Sequence, residues 1–346
     1  MKRLLLIPLY LALLPHVWAE SPTFIDVHAH FQSGVNLSQG EKTALQWMDQ
    51  FGISRSLLMS PPSVGDNKNR YDIEDLLFLT RDYPTRFSVL GGSSLNVMLH
   101  SISADRVDDS DRARFRARAL QIADLGAVGY GEIAALHVSV PLMGQQHRYE
   151  NIPADHPLLL LLADIAAERG LPIDLHCDLV PEEMPLPPVL RANKSNPDVL
   201  SENLNSLQRL LAHNPRAQIV WSHVGFEPLL TRNPQLVRTM LKQFPNLSMS
   251  FRLNRGHIKP AAALNPEREV KPVWLALLGE FPDRFMLGSD AFYDTDGTIK
   301  RGSSKEGLEN FQHLLQALPE PVRTAVASGN AERIYHLTER SPQPTR

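Results

Sequence analysis

Two histidines one residue apart, His28 and His30, stand in the β-branched and aromatic run Phe24–Phe31. The run predicts a β-strand, and because alternate residues of a strand share a face, the two imidazoles point the same way. Two imidazoles on one face can hold a metal ion, since neutral histidine nitrogen is a common metal ligand. For an isolated His-x-His pair, two surface histidines at a strand end would be the favoured interpretation, so the assignment depends on the rest of the chain.

Four more residues of metal-ligand type stand where an apolar run gives way to a loop. Each has an ordinary alternative: Glu132 could form an ion pair, Asp290 could cap the following helix, and a histidine could lie satisfied in the core. Taken together, ligand-type residues at five strand ends favour one metal site. The six candidate ligands are His28, His30, Glu132, His176, His223 and Asp290.

The elements that must position these residues alternate along the chain. Short apolar runs predict eight strands, over residues 24–31, 53–59, 87–90, 128–133, 173–176, 218–223, 247–252 and 285–290. Amphipathic patterns predict helices over residues 39–51, 72–82, 110–125, 157–169, 201–213, 234–244 and 273–281. Strands that alternate with helices are typical of parallel βαβ units.

The predicted links differ on the two sides of the sheet. Links from helix to strand are short, and several contain a proline that ends the helix, as Phe244-Pro245 does. Links from strand to helix after Ile133, His176 and Asp290 are long and rich in proline, glycine and charge. Long loops on one side only are expected of a (β/α)₈ TIM barrel. We therefore predict this α/β fold, with the metal site at the C-terminal face of the strands.

The first 19 residues have the pattern of a cleavable signal peptide. A basic start is followed by an apolar run over residues 4–14 and by small residues ahead of a cut after Ala19. The run is shorter than the roughly 20 residues that a bilayer requires, which disfavours an uncleaved anchor. We expect a periplasmic or secreted protein that does not span a membrane after cleavage. Residues 20–340 would form a single domain, and residues 341–346 a frayed tail.

Composition limits the partners of the protein. The formal net charge is −3 and no tract is rich in Lys or Arg, which argues against nucleic-acid binding. Cys177 is the single cysteine, so an intrachain disulfide is excluded. A small-molecule substrate is expected, and a homo-oligomer is left open. One helix carries four arginines that we predict to form a solvated face: Arg112, Arg114, Arg116 and Arg118.

The motifs resemble those of the amidohydrolase superfamily, in particular the amidohydrolase-related group of metal-dependent (β/α)₈ hydrolases and decarboxylases. They run in the superfamily's order over nearly the whole chain after residue 19. The matching motifs are His28-Ala29-His30 after Asp26, Asp174-Leu175-His176, Ser222-His223-Val224-Gly225, Gly288-Ser289-Asp290 and Gly329-Asn330-Ala331-Glu332-Arg333. The resemblance implies a single metal ion, with His223 beside the bound water or carbonyl. The implied ligands are His28, His30, His176 and Asp290.

The number of metal ions stays open because of Glu132. Many single-metal relatives do without a ligand on the fourth strand, whereas Gly131-Glu132-Ile133 resembles a carboxylate that bridges two ions or completes the site. If Glu132 bridges, His223 becomes a ligand of the second ion. The expected cofactor is one or two divalent metal ions, with zinc favoured and manganese, iron or nickel as alternatives.

These features lead to the hypothesis of an exported metal-dependent hydrolase that attacks an ester, lactone or amide carbonyl. The metal would lower the pKa of bound water and polarise the substrate carbonyl. Asp290 would take the proton and pass it to the leaving group. His223 would donate a hydrogen bond to the developing oxyanion.

Arg252 is the candidate substrate-binding residue. It ends the seventh strand on the same face as Ser248 and Ser250, which directs it towards the barrel mouth. A guanidinium there could grip a substrate carboxylate in a bidentate contact, which would favour an anionic substrate. The alternative is an arginine that pairs with a loop carboxylate.

Two other functions remain open from the sequence. The first is a decarboxylase or lyase of the same superfamily that acts on a carboxylic acid, which would release CO₂ in place of an alcohol, an amine or a ring-opened acid. The second is a binding protein on an inactive barrel, which predicts little bound metal. Retention of all the expected ligands argues against this second possibility.

Overall fold

Eight short strands of buried residues lie parallel to one another in a curled sheet, which gives the chain an α/β fold. The computed structural model describes residues 22–32, 34, 36–62, 70–141, 147–225, 228–229, 231–253, 262–300 and 305–337. The strands are β1 (Phe24–Phe31), β2 (Ile53–Leu58), β3 (Phe87–Val89), β4 (Tyr130–Ala134), β5 (Ile173–His176), β6 (Ile219–Val224), β7 (Leu247–Phe251) and β8 (Phe285–Leu287). Their order across the sheet is β3-β2-β1-β8-β7-β6-β5-β4, so each predicted strand is present. Two further short strands belong to the same sheet: Ala291–Tyr293, parallel to β1, and Ile299–Lys300, antiparallel to Ala291–Tyr293.

Helices connect successive strands, as the alternating pattern predicts. They are α1 (Leu37–Phe51), α2 (Ile73–Asp82), α3 (Ser93–Ser101), α4 (Asp109–Asp124), α5 (Pro157–Arg169), α6 (Leu204–His213), α7 (Pro234–Gln243), α8 (Pro272–Glu280), α9 (Lys305–Ala317), α10 (Glu320–Thr324) and α11 (Asn330–Ile334). The seven predicted helices are all present, with small shifts at their ends. The sequence pattern does not predict α3, which begins directly after the pair Gly91-Gly92.

Two glycines end helices immediately before strands. Gly52 follows α1 with φ of 70° and Gly170 follows α5 with φ of 62°. This left-handed conformation is strained for residues with a side chain, and glycine adopts it freely. The links to β2 and β5 can therefore be very short, which fixes where those strands begin.

Backbone hydrogen bonds also join β3 to β4, the two ends of the strand order. The N–H of Val128 donates to the carbonyl of Val89 at 2.9 Å, and the N–H of Gly131 donates to the carbonyl of Gly91 at 3.1 Å. Gly91 and Tyr130 form an isolated parallel bridge. The contact between β3 and β4 is thus short, with one bridge pair, as is the pairing of β1 with β8 at Asp26 and Leu287.

The apolar core lies between the sheet and the helices, and a smaller apolar cluster joins Val27 of β1 to Ile334 of α11. No helix in the described ranges is both long and apolar enough to cross a membrane. The predicted signal peptide, residues 1–19, and the predicted tail, residues 341–346, lie outside the described residues.

The prediction that Arg118 belongs to a solvated helix face is wrong. Its side chain is only 17% exposed, because it lies across the first turn of α2. One guanidinium nitrogen is 3.0 Å from Asp72 Oδ2, and another is 2.5 Å from Glu74 Oε1. Arg118 is removed from solvent because it pairs with two carboxylates that lie outside its own helix. The residue pattern of one helix gives no information about that contact.

Asp72 caps α2 and also joins that helix to α3 and α4. Its carboxylate accepts hydrogen bonds from the N–H groups of Gly92 at 3.0 Å and Ser94 at 2.9 Å, and from Arg118 at 3.0 Å. Burial alone would raise the pKa of Asp72, but these hydrogen bonds outweigh burial and hold it below its usual value.

We expect Asp72→Asn to lower the free energy of unfolding by about 2 kcal/mol at pH 7, because hydrogen bonds to a charged group are strong ones. The pKa of Asp72 is lower in the folded state than in the unfolded chain. Its contribution is therefore complete above pH about 4 and is lost as the pH falls through the folded-state pKa. Urea unfolding of parent and variant between pH 7 and pH 3 measures both effects, and the difference should shrink at the acid end.

Asp108→Asn is the matched control for this prediction. Asp108 caps α4 in the same kind of capping box, and in the described structure the hydrogen bonds of its side chain are confined to Asp111. Asparagine caps helices about as well as aspartate, so the control should change stability by only a few tenths of a kcal/mol. Equal losses in the two variants would contradict the role of the contacts between elements.

Candidate metal centre

His28 and His30 lie near the carboxyl end of β1, and both are fully buried. Their Nε2 atoms are 3.0 Å apart, and the rings meet edge to face at 83°. The shared face predicted from strand alternation is therefore present. The chain after β8 passes close to His28 because residue 288 is a glycine: a Cβ at Gly288 would lie 2.9 Å from the Cβ of His28.

Hydrogen bonds at the far side of each ring orient these two histidines. Nδ1 of His28 lies 3.1 Å from a carboxylate oxygen of Asp174, and Nδ1 of His30 lies 2.9 Å from the carbonyl oxygen of Met59. Both partners are acceptors, so in each ring the proton belongs on Nδ1. In the neutral form of each ring the lone pair is then on Nε2, which is the arrangement that neighbouring groups impose on metal-ligating histidines.

The carboxylate of Glu132 lies between two pairs of imidazoles. Its Oε1 is 2.6 Å from Nδ1 of His176 and 3.1 Å from Nε2 of His223. Its Oε2 is 3.4 Å from Nε2 of His30 and 3.5 Å from Nε2 of His28. Glu132 is on β4 and 2% exposed. One oxygen therefore faces the histidines of β1, and the other faces those of β5 and β6.

His176 and His223 differ in how their second ring nitrogens are placed. Nε2 of His176 lies 3.5 Å from Oδ2 of the buried Asp178, on the side of the ring away from Glu132. Nδ1 of His223 is buried and makes no hydrogen bond within the part of the chain that the structure describes. A buried nitrogen without a partner costs free energy, so this atom is suited to a group that the polypeptide does not itself supply.

Asp290 follows β8 and reaches the same centre from the opposite side. Its Oδ1 lies 3.3 Å from Nε2 of His30 and 4.0 Å from Nε2 of His28. Its Oδ2 lies 2.5 Å from Nη1 of Arg252, which is 8% exposed and directly follows β7. Arg252 thus reaches the site, as its place on the strand predicts, and there it contacts the loop carboxylate Asp290.

His223 and Asp290 both adopt left-handed backbone conformations, with φ of 67° and 54°. For residues with side chains this costs of the order of 1–3 kcal/mol each and recurs at functional sites. Arg232 supports the strained turn at His223. Its guanidinium donates to the carbonyls of Ser222 at 2.5 Å and of His223 at 3.2 Å, and it stacks 5.1 Å from the ring centroid of Trp221.

The electrostatics of the centre favour ionised carboxylates. For Glu132, burial would raise the pKa, but the charge of His28 and hydrogen bonds from His176 and His223 hold it well below its usual value. Burial likewise opposes ionisation of Asp290, yet Arg252 and His30 keep its pKa below the normal range. Burial lowers the pKa of His223 to about 3, so that imidazole is neutral near pH 7.

The donor set fits one or more divalent metal ions. Metal ligands must be deprotonated, and the carboxylates and the neutral His223 meet that requirement. His28 does not meet it without a metal: burial lowers its pKa, but Asp174 and Glu132 hold it well above its usual value, so an ion would displace a proton from that ring. His176 does not meet it without a metal: burial lowers its pKa, but Asp178 and Glu132 raise it to about 9, so an ion would displace a proton there. Three overlapping groups have ligand atoms within 4.8 Å of one another: His28, His30 and Glu132; His28, His223 and Asp290; and Glu132, His176 and His223. The structure therefore brings all six candidate ligands together, and their roles as ligands stay predictions.

Several residues that shape this centre are absent from the sequence-based predictions. Asp174 could have been found, because strand alternation places it on the same face as His176. Asp178 and Arg232 carry no such signal, since each reaches the site from a loop whose path one sequence does not reveal.

Comparison with known families gives a match over most of the chain. The model of the family described as amidohydrolase matches residues 25–337, which include every candidate ligand. No curated protein sequence matches the chain significantly.

Several solved structures resemble this one at low sequence identity. A 2,6-dihydroxybenzoate decarboxylase complexed with 2,6-dihydroxybenzoate is 16% identical, with a TM-score of 0.50, over 91% of this chain and 99% of that chain. An amidohydrolase from Pseudomonas aeruginosa is 10% identical, with a TM-score of 0.49, over 92% and 97%. An amidohydrolase 2 from Bifidobacterium longum subsp. infantis is 14% identical, with a TM-score of 0.45, over 91% and 100%. At 16% identity, the comparison with the 2,6-dihydroxybenzoate decarboxylase supports a shared fold and nothing more.

Proposed function

Because the chain belongs to the amidohydrolase family, and is thus an enzyme of that superfamily, we propose that it is a metal-dependent hydrolase of esters, lactones or amides. The observation that carries this proposal is the position of Glu132. Each of its carboxylate oxygens faces a different pair of imidazoles at 2.6 to 3.5 Å. A carboxylate with one oxygen towards each of two donor pairs is suited to sharing by two metal ions, and we propose two ions with Glu132 between them.

The ligands then divide into two groups around Glu132. His28, His30 and Asp290 would hold the first ion, and His176 and His223 the second. When bound, such ions supply Lewis-acid chemistry: they lower the pKa of water and polarise a carbonyl. In this division His223 would be a metal ligand, whereas the sequence alone suggested that it donates a hydrogen bond to the oxyanion. Nitrogen and oxygen donors without thiolate suit zinc, with manganese, iron and nickel as alternatives.

Asp290 is the residue proposed to move the proton. It is ionised near neutral pH because Arg252 and His30 stabilise its charge, so it can accept a proton from the attacking water and return it to the leaving group. Arg252 holds Oδ2 of Asp290 and directs Oδ1 towards the histidines of β1. The Arg252 guanidinium, which is next to Asp290 at the centre, is also proposed to bind an anionic group of the substrate.

Three broader features belong to the same proposal. The sheet closes into a (β/α)₈ barrel, which the hydrogen bonds between β3 and β4 support. The six candidate ligands would then surround the C-terminal mouth. The protein is exported to the periplasm or medium after cleavage at Ala19, which the basic and apolar start of the sequence supports.

Metal analysis of the purified chain, followed by a substrate screen, tests the proposal. We expect two equivalents of divalent metal per chain and turnover of at least one lactone, ester or N-acyl compound. Removal of the metal with a chelator should abolish turnover, and added zinc should restore it. A chain that binds no metal under these conditions would contradict the proposal.

Glu132→Gln is expected to lower the metal content from two equivalents to one and to reduce the rate at least a hundredfold. The amide keeps the shape of the side chain but loses the charge that two ions would share. Elemental analysis after dialysis measures the metal. Glu168→Gln is the control, because Glu168 is an exposed residue that pairs with Arg116 on the surface. If Glu132→Gln keeps the metal content and the activity of the parent, Glu132 has only a structural role and the proposed sharing by two ions is wrong.

The alternative is a decarboxylase of the same superfamily. The observation that favours it is Arg252, since a guanidinium at the centre could bind the carboxylate of an aromatic or aliphatic acid. One protein of similar fold is a 2,6-dihydroxybenzoate decarboxylase, which is a reason to include aromatic carboxylates in the screen. Released CO₂ would identify the lyase, and a released alcohol, amine or ring-opened acid would identify the hydrolase.

A further inference from the structure

The edge of β4 that faces β3 is completed by a side chain of α3. The backbone pairing between β3 and β4 ends with the hydrogen bond from Gly131 to Gly91, one residue before Glu132. Beyond that point Asn96 takes the place of a neighbouring strand. Its Nδ2 donates to the carbonyl of Glu132 at 2.5 Å, and its Oδ1 accepts from the N–H of Ala134 at 3.0 Å.

These two hydrogen bonds reproduce the pattern of a parallel strand pair. In a parallel ladder, one residue accepts from one backbone N–H and donates to a carbonyl two residues earlier on its neighbour. Asn96 does the same across Ile133 with a single carboxamide. A backbone carbonyl only accepts and an N–H only donates, so both atoms of the carboxamide are required in this orientation.

The surrounding contacts hold the carboxamide firmly. Asn96 is fully buried, and its neighbours Leu95 and Leu99 on α3 are fully buried as well. One helical turn later, Nε2 of His100 lies 2.9 Å from the carbonyl of Ala134. Residues four apart share a helix face, so this face of α3 is fixed against β4 at three backbone groups.

We propose that Asn96 is a positioning residue for the shared metal carboxylate. By holding the carbonyl of Glu132 and the N–H of Ala134, it fixes the backbone from which the Glu132 side chain extends between the two imidazole pairs. A shift of that backbone would move both carboxylate oxygens relative to both pairs at once. Besides Glu132, the second ion would have two ligands and the first ion three, so binding of the second ion is the property most sensitive to such a shift. This inference rests on the proposed sharing of Glu132 by two ions.

Asn96→Asp is the direct test, because aspartate has nearly the same shape but cannot donate to the Glu132 carbonyl when ionised. Asn246→Asp is the matched control. Asn246 is also a buried asparagine, and its Nδ2 donates to backbone carbonyls of Leu211 at 3.1 Å and Ala217 at 3.0 Å, away from the metal centre. Zinc binding is measured by equilibrium dialysis against buffered zinc, and folding by circular dichroism and thermal unfolding.

We expect the parent and Asn246→Asp to bind two zinc ions with equal affinity, although the control unfolds at a lower temperature. Asn96→Asp should keep the first ion and bind the second at least tenfold more weakly. If Asn96→Asp does not fold, Asn96→Ser replaces it, since serine is smaller and uncharged, and the same weakening is expected. Parent-like binding of both ions by a folded Asn96 variant would overturn the inference.

Glu132→Gln separates this inference from its premise. If Glu132→Gln loses one ion while the Asn96 variants keep both, the shared carboxylate stands and the positioning role of Asn96 is wrong. If Glu132→Gln keeps both ions, the premise is wrong and the inference is overturned with it.

Discussion

Replacing both His28 and His30 with alanine is expected to remove bound metal from the first ion's position and to abolish activity. The two Nε2 atoms lie 3.0 Å apart, and each ring is held by a hydrogen bond at Nδ1 before any ion binds. A pair of ligands preorganised in this way contributes most of the affinity of a site with few protein ligands. Zinc content after dialysis should fall by at least one equivalent per chain, and turnover should fall below detection.

The control for this experiment is His213→Ala. His213 ends α6 and pairs with Asp164 on the surface, 3.1 Å away, and within the described residues its side chain contacts no candidate ligand. It tests whether loss of a histidine as such changes metal content. Both proteins are compared at a temperature where circular dichroism shows them folded, because the double variant leaves the buried Asp174 without its partner at His28. Parent-level metal in the folded double variant would reject the assignment.

Much of this centre follows from strand periodicity and strand direction. His28 and His30 were predicted to share a face, and their rings meet with adjacent Nε2 atoms. Parallel strands end at one edge of a sheet, which is why residues as distant along the chain as Glu132 and Asp290 could be expected near one point. That argument needs only the residue types and the order of elements, both of which the sequence contains.

The supporting contacts could not be predicted in the same way. α3 follows Gly91-Gly92 and begins with Ser93-Ser94, a cluster of residues typical of loops, so the sequence predicts neither this helix nor the docking of Asn96 on β4. The basic pattern of its own helix predicts that Arg118 faces solvent, whereas its position depends on Asp72 and Glu74 at the start of another helix. The positions of these side chains depend on contacts between elements that are distant in sequence, and a local sequence pattern carries no information about such contacts.

Arg252 shows the same limit within the site. Strand alternation correctly directs it towards the metal centre, but the pattern alone could not decide between a substrate anion and a protein carboxylate as its partner. In the structure its Nη1 lies 2.5 Å from Asp290 Oδ2. This contact makes Arg252 and Asp290 one functional unit: the arginine keeps Asp290 ionised, and the aspartate orients the guanidinium.

Asp290→Asn is therefore expected to reduce kcat by about a thousandfold while much of the bound metal remains. The amide oxygen can still face the metal centre, but it cannot take up a proton, and loss of a general base costs about 10²- to 10⁴-fold in rate. Asp283→Asn is the control, because Asp283 is 65% exposed and precedes β8. A thousandfold loss corresponds to about 4 kcal/mol of transition-state stabilisation. If metal content falls in parallel with kcat, Asp290 acts chiefly as a ligand. If neither changes, the assignment of proton transfer to Asp290 is wrong.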